Sequence, residues 1–188
     1  MMTFWTKTLT LSCATLLVTS CAITGQQNSS GQQTRRDIAT VIEDEQIELD
    51  AIKAIFNNDE LWSKSDIDIV SFNKTILLVG QTPTLTLKQR AESLVKQAAT
   101  ANRVFNEIRV AAPTSSLTYF GDLSLTSKVK TALFIEDNFD STKVKVVTED
   151  SEVFLLGLVS KAEAEKAISI TRNVSGVKRV IQAFEIID

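Results

Sequence analysis

Histidine is absent from all 188 residues of this chain, which removes the commonest general base and the commonest metal-ligating side chain. Cysteine occurs only at Cys13 and Cys21. Glycine is scarce, six in all, and none sits at the GxGxxG spacing of a phosphate-cradling loop. Positive charge is in deficit as well. Twenty basic against 23 acidic residues give a net charge of −3, so no global field gathers nucleic acid. Acidic residues do cluster, at Glu43-Asp44-Glu45, Asp59-Glu60 and Glu149-Asp150, but in loop or helix-surface contexts where solvated charge explains them better than acid–base catalysis. Neither an enzyme, a cofactor, a metal site nor a nucleic-acid partner is expected from this inventory.

The amino terminus carries an address. A single early cation, Lys7, precedes an apolar stretch over residues 9–18, and small residues follow it. That stretch is shorter than the roughly 20 apolar residues a membrane-spanning helix needs. Val18-Thr19-Ser20-Cys21 resembles the lipobox of bacterial lipoproteins. The resemblance implies that residues 1–20 are a signal peptide and that Cys21 becomes the acylated first residue. The mature chain then has no free thiol and no disulfide. Residues 22–34 are rich in Gln, Ser, Asn and Gly and lack the apolar side chains that would offset the entropy of ordering. Residues 21–36 thus read as anchor and flexible tether, with a reach of roughly 20 Å.

The remainder repeats itself. Shifted by 77 positions, Ile52, Phe56, Ile67, Ile69, Ile76, Leu78 and Gly80 fall on Val129, Leu133, Val144, Val146, Val153, Leu155 and Gly157. Past Gly80 the shift becomes 76, and Ala91, Leu94, Ala98, Val104, Ile108 and Val110 meet Ala167, Ile170, Val174, Val180, Phe184 and Ile186. This is a duplicated domain.

Each copy shows the same succession of periods. In the second, Leu125, Val129, Ala132 and Leu133 form one helical stripe, with Ser124 or Thr126 as possible cap. Val144-Lys145-Val146 then alternates, Glu149-Asp150-Ser151 makes a turn, and residues 153–159 run apolar. Ser160 with Glu163 three residues on has capping-box spacing for a second helix, which Gly176 stops. Val180, Gln182, Phe184 and Ile186 alternate as a final strand. The order is α-β-β-α-β. A tight turn makes the hairpin antiparallel and a helical crossover makes the last pair parallel. The fold expected is α+β, two tandem copies of a small mixed sheet with two helices on one face, the other face left open to solvent or a partner. The domains fall at residues 37–112, with an extra N-terminal helical segment in which residues 35–50 read as a polar helix, and at residues 124–188, joined by a connector over residues 113–123.

Glu152-Val153-Phe154-Leu155-Leu156-Gly157-Leu158-Val159, followed after a helix by Val174-Ser175-Gly176-Val177-Lys178-Arg179-Val180, resembles the BON domain. Two such copies behind a lipobox resemble the dual-BON outer-membrane lipoproteins. The first copy keeps Leu77-Leu78-Val79-Gly80 but has Ala98-Ala99-Thr100-Ala101 where the second has its Gly176 motif. The resemblance implies a non-enzymatic protein at the periplasmic side of the outer membrane that binds phospholipid and supports envelope integrity. Ala22 after the cysteine is similar to outer-membrane sorting.

Gly80, Gly157 and Gly176 are expected to be structural, sites of positive φ or close backbone approach. Lipid-contact candidates are Tyr119, Phe120, Leu123 and Leu125, unusually apolar for a connector and helix start, with Lys128 and Lys130 placed to meet lipid phosphates, preferentially of anionic lipid. Two other readings stand beside this one. Tyr119, Phe120 and Leu123 could instead pack between the copies. The protein could also be an adaptor docking on outer-membrane machinery, for which an exposed uncharged sheet face would be the sign.

Overall fold

A computed structural model describes residues 38–112 and 115–187. The proposed acylation site Cys21, the lipobox residues Val18, Thr19 and Ser20, and the tether lie outside the described residues. The described residues form one compact unit.

The first repeat runs α1 (Ile38–Phe56), α2 (Asp59–Lys64), β1 (Asp66–Phe72), β2 (Thr75–Thr82), α3 (Leu85–Ala98), β3 (Arg103–Asn106) and β4 (Arg109–Val110). The second runs α4 (Ser116–Phe134), a 3-10 turn at Ser141–Lys143, β5 (Val144–Glu149), β6 (Glu152–Val159), α5 (Lys161–Arg172) and β7 (Arg179–Ile186). In each, the hairpin is antiparallel and the strand after the crossover helix pairs in parallel. The α-β-β-α-β order is therefore as expected. Ser160 and Glu163 complete the capping box that starts α5.

The central strands explain how the repeats join. Ile76-Leu77-Leu78-Val79 and Val153-Phe154-Leu155-Leu156 are unbroken apolar runs, the pattern of strands buried on both faces. Ile76 and Leu78 face α1 and α3 in one core. Val153 and Leu155 face α4 and α5 in another. The alternate residues, Leu77 and Val79, meet Phe154 and Leu156 in a third core with Phe72 and Ala183. The sheet faces not covered by helices, which the sequence leaves to solvent, to a partner or to packing of the copies together, close on each other, because an apolar face of that size is more stable buried than wet, at about 1.5–3 kcal/mol per large side chain. The margin of this inter-sheet core is polar. Arg109 bonds Asp150 at 2.6 Å and Glu152 at 3.0 Å, Asn73 donates to Glu185 at 3.0 Å, and Gln81 donates to Glu149.

Three sequence expectations are corrected. Residues 113–123 are no simple connector, since α4 already begins at Ser116, capped by Ser115 rather than by Ser124 or Thr126. The first helix is neither polar nor an addition to the domain: α1 is the counterpart of α4 and buries Ile47, Ala51 and Ile55. The helix offset is 78, not 77, because Asp44, Ile47, Ala51 and Ile55 occupy the places of Asp122, Leu125, Val129 and Leu133. Ile52 and Phe56, matched by sequence to the buried Val129 and Leu133, are exposed. Both rows of α1 are apolar, so periodicity alone cannot choose between them.

Candidate functional site

The glycines have backbone explanations. Gly80 has φ +110°, and a Cβ there would stand 2.1 Å from the Asp66 carbonyl oxygen across the hairpin. Gly157 faces the carbonyl of Lys143, which a Cβ would meet at 2.6 Å. Gly176, with φ +105°, lies in the turn after α5.

Of the lipid-contact candidates, Tyr119, Phe120 and Leu123 stand on the first turns of α4 and are 61%, 65% and 56% exposed. Leu117, at 83%, joins them. Tyr119 and Phe120 pack edge to face, with centroids 5.8 Å apart. These side chains are not buried between the repeats, whose inter-sheet core is built from other residues. Leu125 is corrected. It is 5% exposed in the core of the second repeat, beside Gly176, because its place in the helical period puts it on the row of Val129 and Leu133. Lys128 and Lys130 are exposed further along the helix, and among the described residues neither forms an ion pair.

What fixes the aromatic ridge outward is Asp122, a buried carboxylate one turn from Leu125. Its two oxygens each accept a 2.7 Å bond, from the backbone N–H groups of Asp150 and Ser151. Those residues form the β5–β6 turn, with φ of 47° and 64°, and a two-residue hairpin with positive φ at both positions leaves its amides pointing away from the ladder. Asp44 performs the same service in the first repeat. It accepts from the amides of Asn73 and Lys74 at 2.7 Å and from the Ser71 hydroxyl at 2.8 Å, and Asn73 and Lys74 have φ of 51° and 59°. Bonds of this kind to a charged acceptor contribute about 1.5–3 kcal/mol each. Sequence reasoning passed over both residues as surface charge. The signal available was an aspartate recurring at 78 positions, ahead of each hairpin turn, on the same face as the apolar stripe.

Beside the ridge lies a groove of about 660 Å³ whose lining includes Tyr119, Phe120 and Leu123 together with Asp66, Asp68, Asp122, Glu149 and Lys145. Its charge is mostly negative. Burial pushes the Glu149 carboxyl above its ordinary value; the bond from Gln81 opposes this, and Asp122, Asp68 and Asp66 reinforce it. Asp68 keeps contact with solvent, yet desolvation raises its carboxyl too, with Asp66 adding like-charge repulsion. Lys145 is engaged by the Ser71 carbonyl at 3.3 Å. Among the described residues no cluster of three His, Cys, Asp or Glu is arranged to hold a metal ion, and no helix is long and apolar enough to cross a membrane.

Comparison with known proteins agrees with this duplication. The sequence profile of the BON domain matches residues 43–112 and again 121–188. The chain is similar to a Haemophilus influenzae protein named outer membrane lipoprotein DolP, 35% identical over 153 residues that cover 81% of this chain and 79% of that one. It is 33% identical over 156 residues to the 21 kDa hemolysin of Actinobacillus pleuropneumoniae, covering 81% and 80%. With osmotically-inducible protein Y of Escherichia coli it shares 30% identity over 158 residues, covering 81% and 78%.

Proposed function

The chain belongs to the BON-domain family, and from that premise we propose that it is a non-enzymatic lipoprotein of the outer membrane, anchored through Cys21 on the periplasmic side, whose second repeat contacts phospholipid through the start of α4 and so supports envelope integrity. The lipobox at Val18–Cys21 and the name of the Haemophilus influenzae relative support the location. The observation that carries the lipid contact is the exposed ridge of Leu117, Tyr119, Phe120 and Leu123, followed by the exposed Lys128 and Lys130, which form no ion pair among the described residues. Aromatic and aliphatic side chains of this kind enter the headgroup boundary, and lysines meet phosphates. The adaptor reading draws on an open sheet face, an edge strand or an apolar patch, and of these the sheet faces are used by the two repeats to bury each other.

Each lysine near an anionic surface is worth only about 1 kcal/mol, and the groove acids oppose them. The contact is weak by itself. Acylation changes its effect, since each buried CH₂ contributes about 0.8 kcal/mol and a short tether holds a second site at roughly millimolar effective concentration. The anchor secures residence at the membrane, and the ridge orients the folded unit on it.

The test uses protein beginning at Ala22, which contains the whole compact unit, titrated with anionic and with zwitterionic lipid micelles while backbone NMR shifts are followed. Shifts confined to residues 117–130, larger with the anionic lipid and abolished by Phe120→Glu, are expected. No shift with either lipid refutes the proposal.

A further inference from the structure

The outward face of α1 carries an apolar row that nothing among the described residues covers. Ile38, Ile42, Glu45, Leu49, Ile52 and Phe56 follow one another at spacings of four, three, four, three and four. This is the a/d repeat of a helix that packs along another helix. The five apolar members are between 40% and 81% exposed, on the side of α1 opposite Ile47, Ala51 and Ile55. Trp62 packs edge-on against Phe56 at 5.0 Å and extends the row. Nineteen residues of helix give this seam a length of nearly 30 Å.

We propose that the face pairs with the same face of a second copy of this chain, α1 against α1 in antiparallel order. The register argues for it. Antiparallel pairing sets Ile38 opposite Phe56 of the other copy, Ile42 opposite Ile52, and Glu45 opposite Leu49, so that the row complements itself. Parallel pairing would instead place Glu45 against Glu45, a like-charge contact at the middle of the seam. In the antiparallel order Lys53 of the other copy comes within about one helical turn of Glu45, and here Lys53 has only an exposed bond to Asp50 at 3.3 Å. A lipid surface is the poorer occupant. The apolar row is narrow where interfacial helices are broad, and the only charge within it is acidic, Glu45, which anionic headgroups would repel; Glu43, Glu48 and Asp50 beside it are engaged by Lys74, Lys145 and Lys53.

One helix face makes a small interface, below about 1,200 Å² in total, so the dimer is weak when free in solution. The inference does not rest on acylation or on lipid contact. Protein beginning at Ala22 lacks both cysteines of the chain, which makes introduced thiols specific. In sedimentation velocity over roughly 10–500 µM, reversible dimerisation is expected. Leu49→Glu should weaken it at least tenfold, and Glu45→Leu should strengthen it at least tenfold. Both positions are exposed, and circular dichroism confirms that the variants fold. Mixed Ile42→Cys and Ile52→Cys proteins should form the 42–52 disulfide far faster than either forms a disulfide with itself. A monomer at every concentration, for the wild type and for Glu45→Leu alike, overturns the proposal. So does a dimer insensitive to Leu49→Glu, or one that links position 42 to position 42. Vesicle binding lost on Leu49→Glu in a chain that never dimerises would assign the face to lipid and likewise overturn it.

Discussion

The same outward row of the same helix reads Ile-Ile-Glu-Leu-Ile-Phe in the first repeat, at positions 38, 42, 45, 49, 52 and 56, and Ser-Phe-Leu-Ser-Lys-Phe in the second, at 116, 120, 123, 127, 130 and 134. Toward the interior the two helices agree. Each presents a buried aspartate to the turn of its own hairpin and then three apolar residues to its core. Duplication has kept what the fold requires and let the solvent-facing row diverge: a mainly aliphatic row interrupted by Glu45 in one copy, a row of two phenylalanines and a leucine with a single lysine, Lys130, in the other. The third strand diverges too. It is continuous as β7, whereas in the first repeat it breaks into β3 and β4 around Glu107 and Ile108. Asn106 there turns back to accept from the Ile108 amide at 3.3 Å and to donate to the Lys88 carbonyl at 3.1 Å.

The comparison is broken most severely at Gly80. A side chain there meets a backbone oxygen at 2.1 Å in a positive-φ conformation, so Gly80→Ala should cost about 4 kcal/mol or more. Because the inter-sheet core ties the repeats together, chemical denaturation should show one destabilised transition for both. A first repeat that melts alone would show that the two copies are energetically separate. Next comes the inter-sheet core itself. Leu156→Ala and Leu77→Ala should each cost about 3 kcal/mol, and equal losses would mark the two faces as equivalent halves of one interior.

The aspartates sharpen the comparison. Asp44 accepts at least three bonds and Asp122 two, so Asp44→Ala should cost more than Asp122→Ala, with both at about 3 kcal/mol or more. A smaller step separates the outward rows. Replacing Lys128 and Lys130 together by Gln should reduce binding to anionic vesicles about tenfold or more and leave thermal stability unchanged, while Leu49→Ser in α1 should leave vesicle binding untouched. The smallest effect is a pH dependence centred on Glu149. The Glu149 carboxyl is raised in the folded protein, so folding binds its proton. Its contribution is complete below the ordinary glutamate value and is lost as pH rises through the elevated one. As pH rises above the ordinary glutamate value, about 4.3, the stability of the wild type should fall relative to Glu149→Gln, as measured by denaturant midpoints; parallel curves would remove the effect.

Much of this was legible beforehand. Alternation and helical stripes carried the element order and the repeat, and Ser160 with Glu163 marked the start of α5. The apolar ridge at Tyr119, Phe120 and Leu123 was visible as composition out of place. What failed did so for identifiable reasons. Residues 113–123 read as a connector because an exposed aromatic ridge breaks the single-stripe pattern by which a surface helix is recognised. Leu125 was grouped with its apolar neighbours although it belongs to the opposite side of the helix.

The sequence by itself determined the local order, since backbone periodicity, caps and turns depend on residues a few positions apart. Only the tertiary structure decided which of two apolar rows on α1 is core, that the two sheets cover one another, and that Asp44 and Asp122 are buried acceptors rather than surface charges. Those outcomes depend on contacts between residues about 30 or more positions apart, such as Asp44 with Lys74 or Leu77 with Phe154, where burial and hydrogen bonding are settled jointly by both partners and neither segment specifies the result alone.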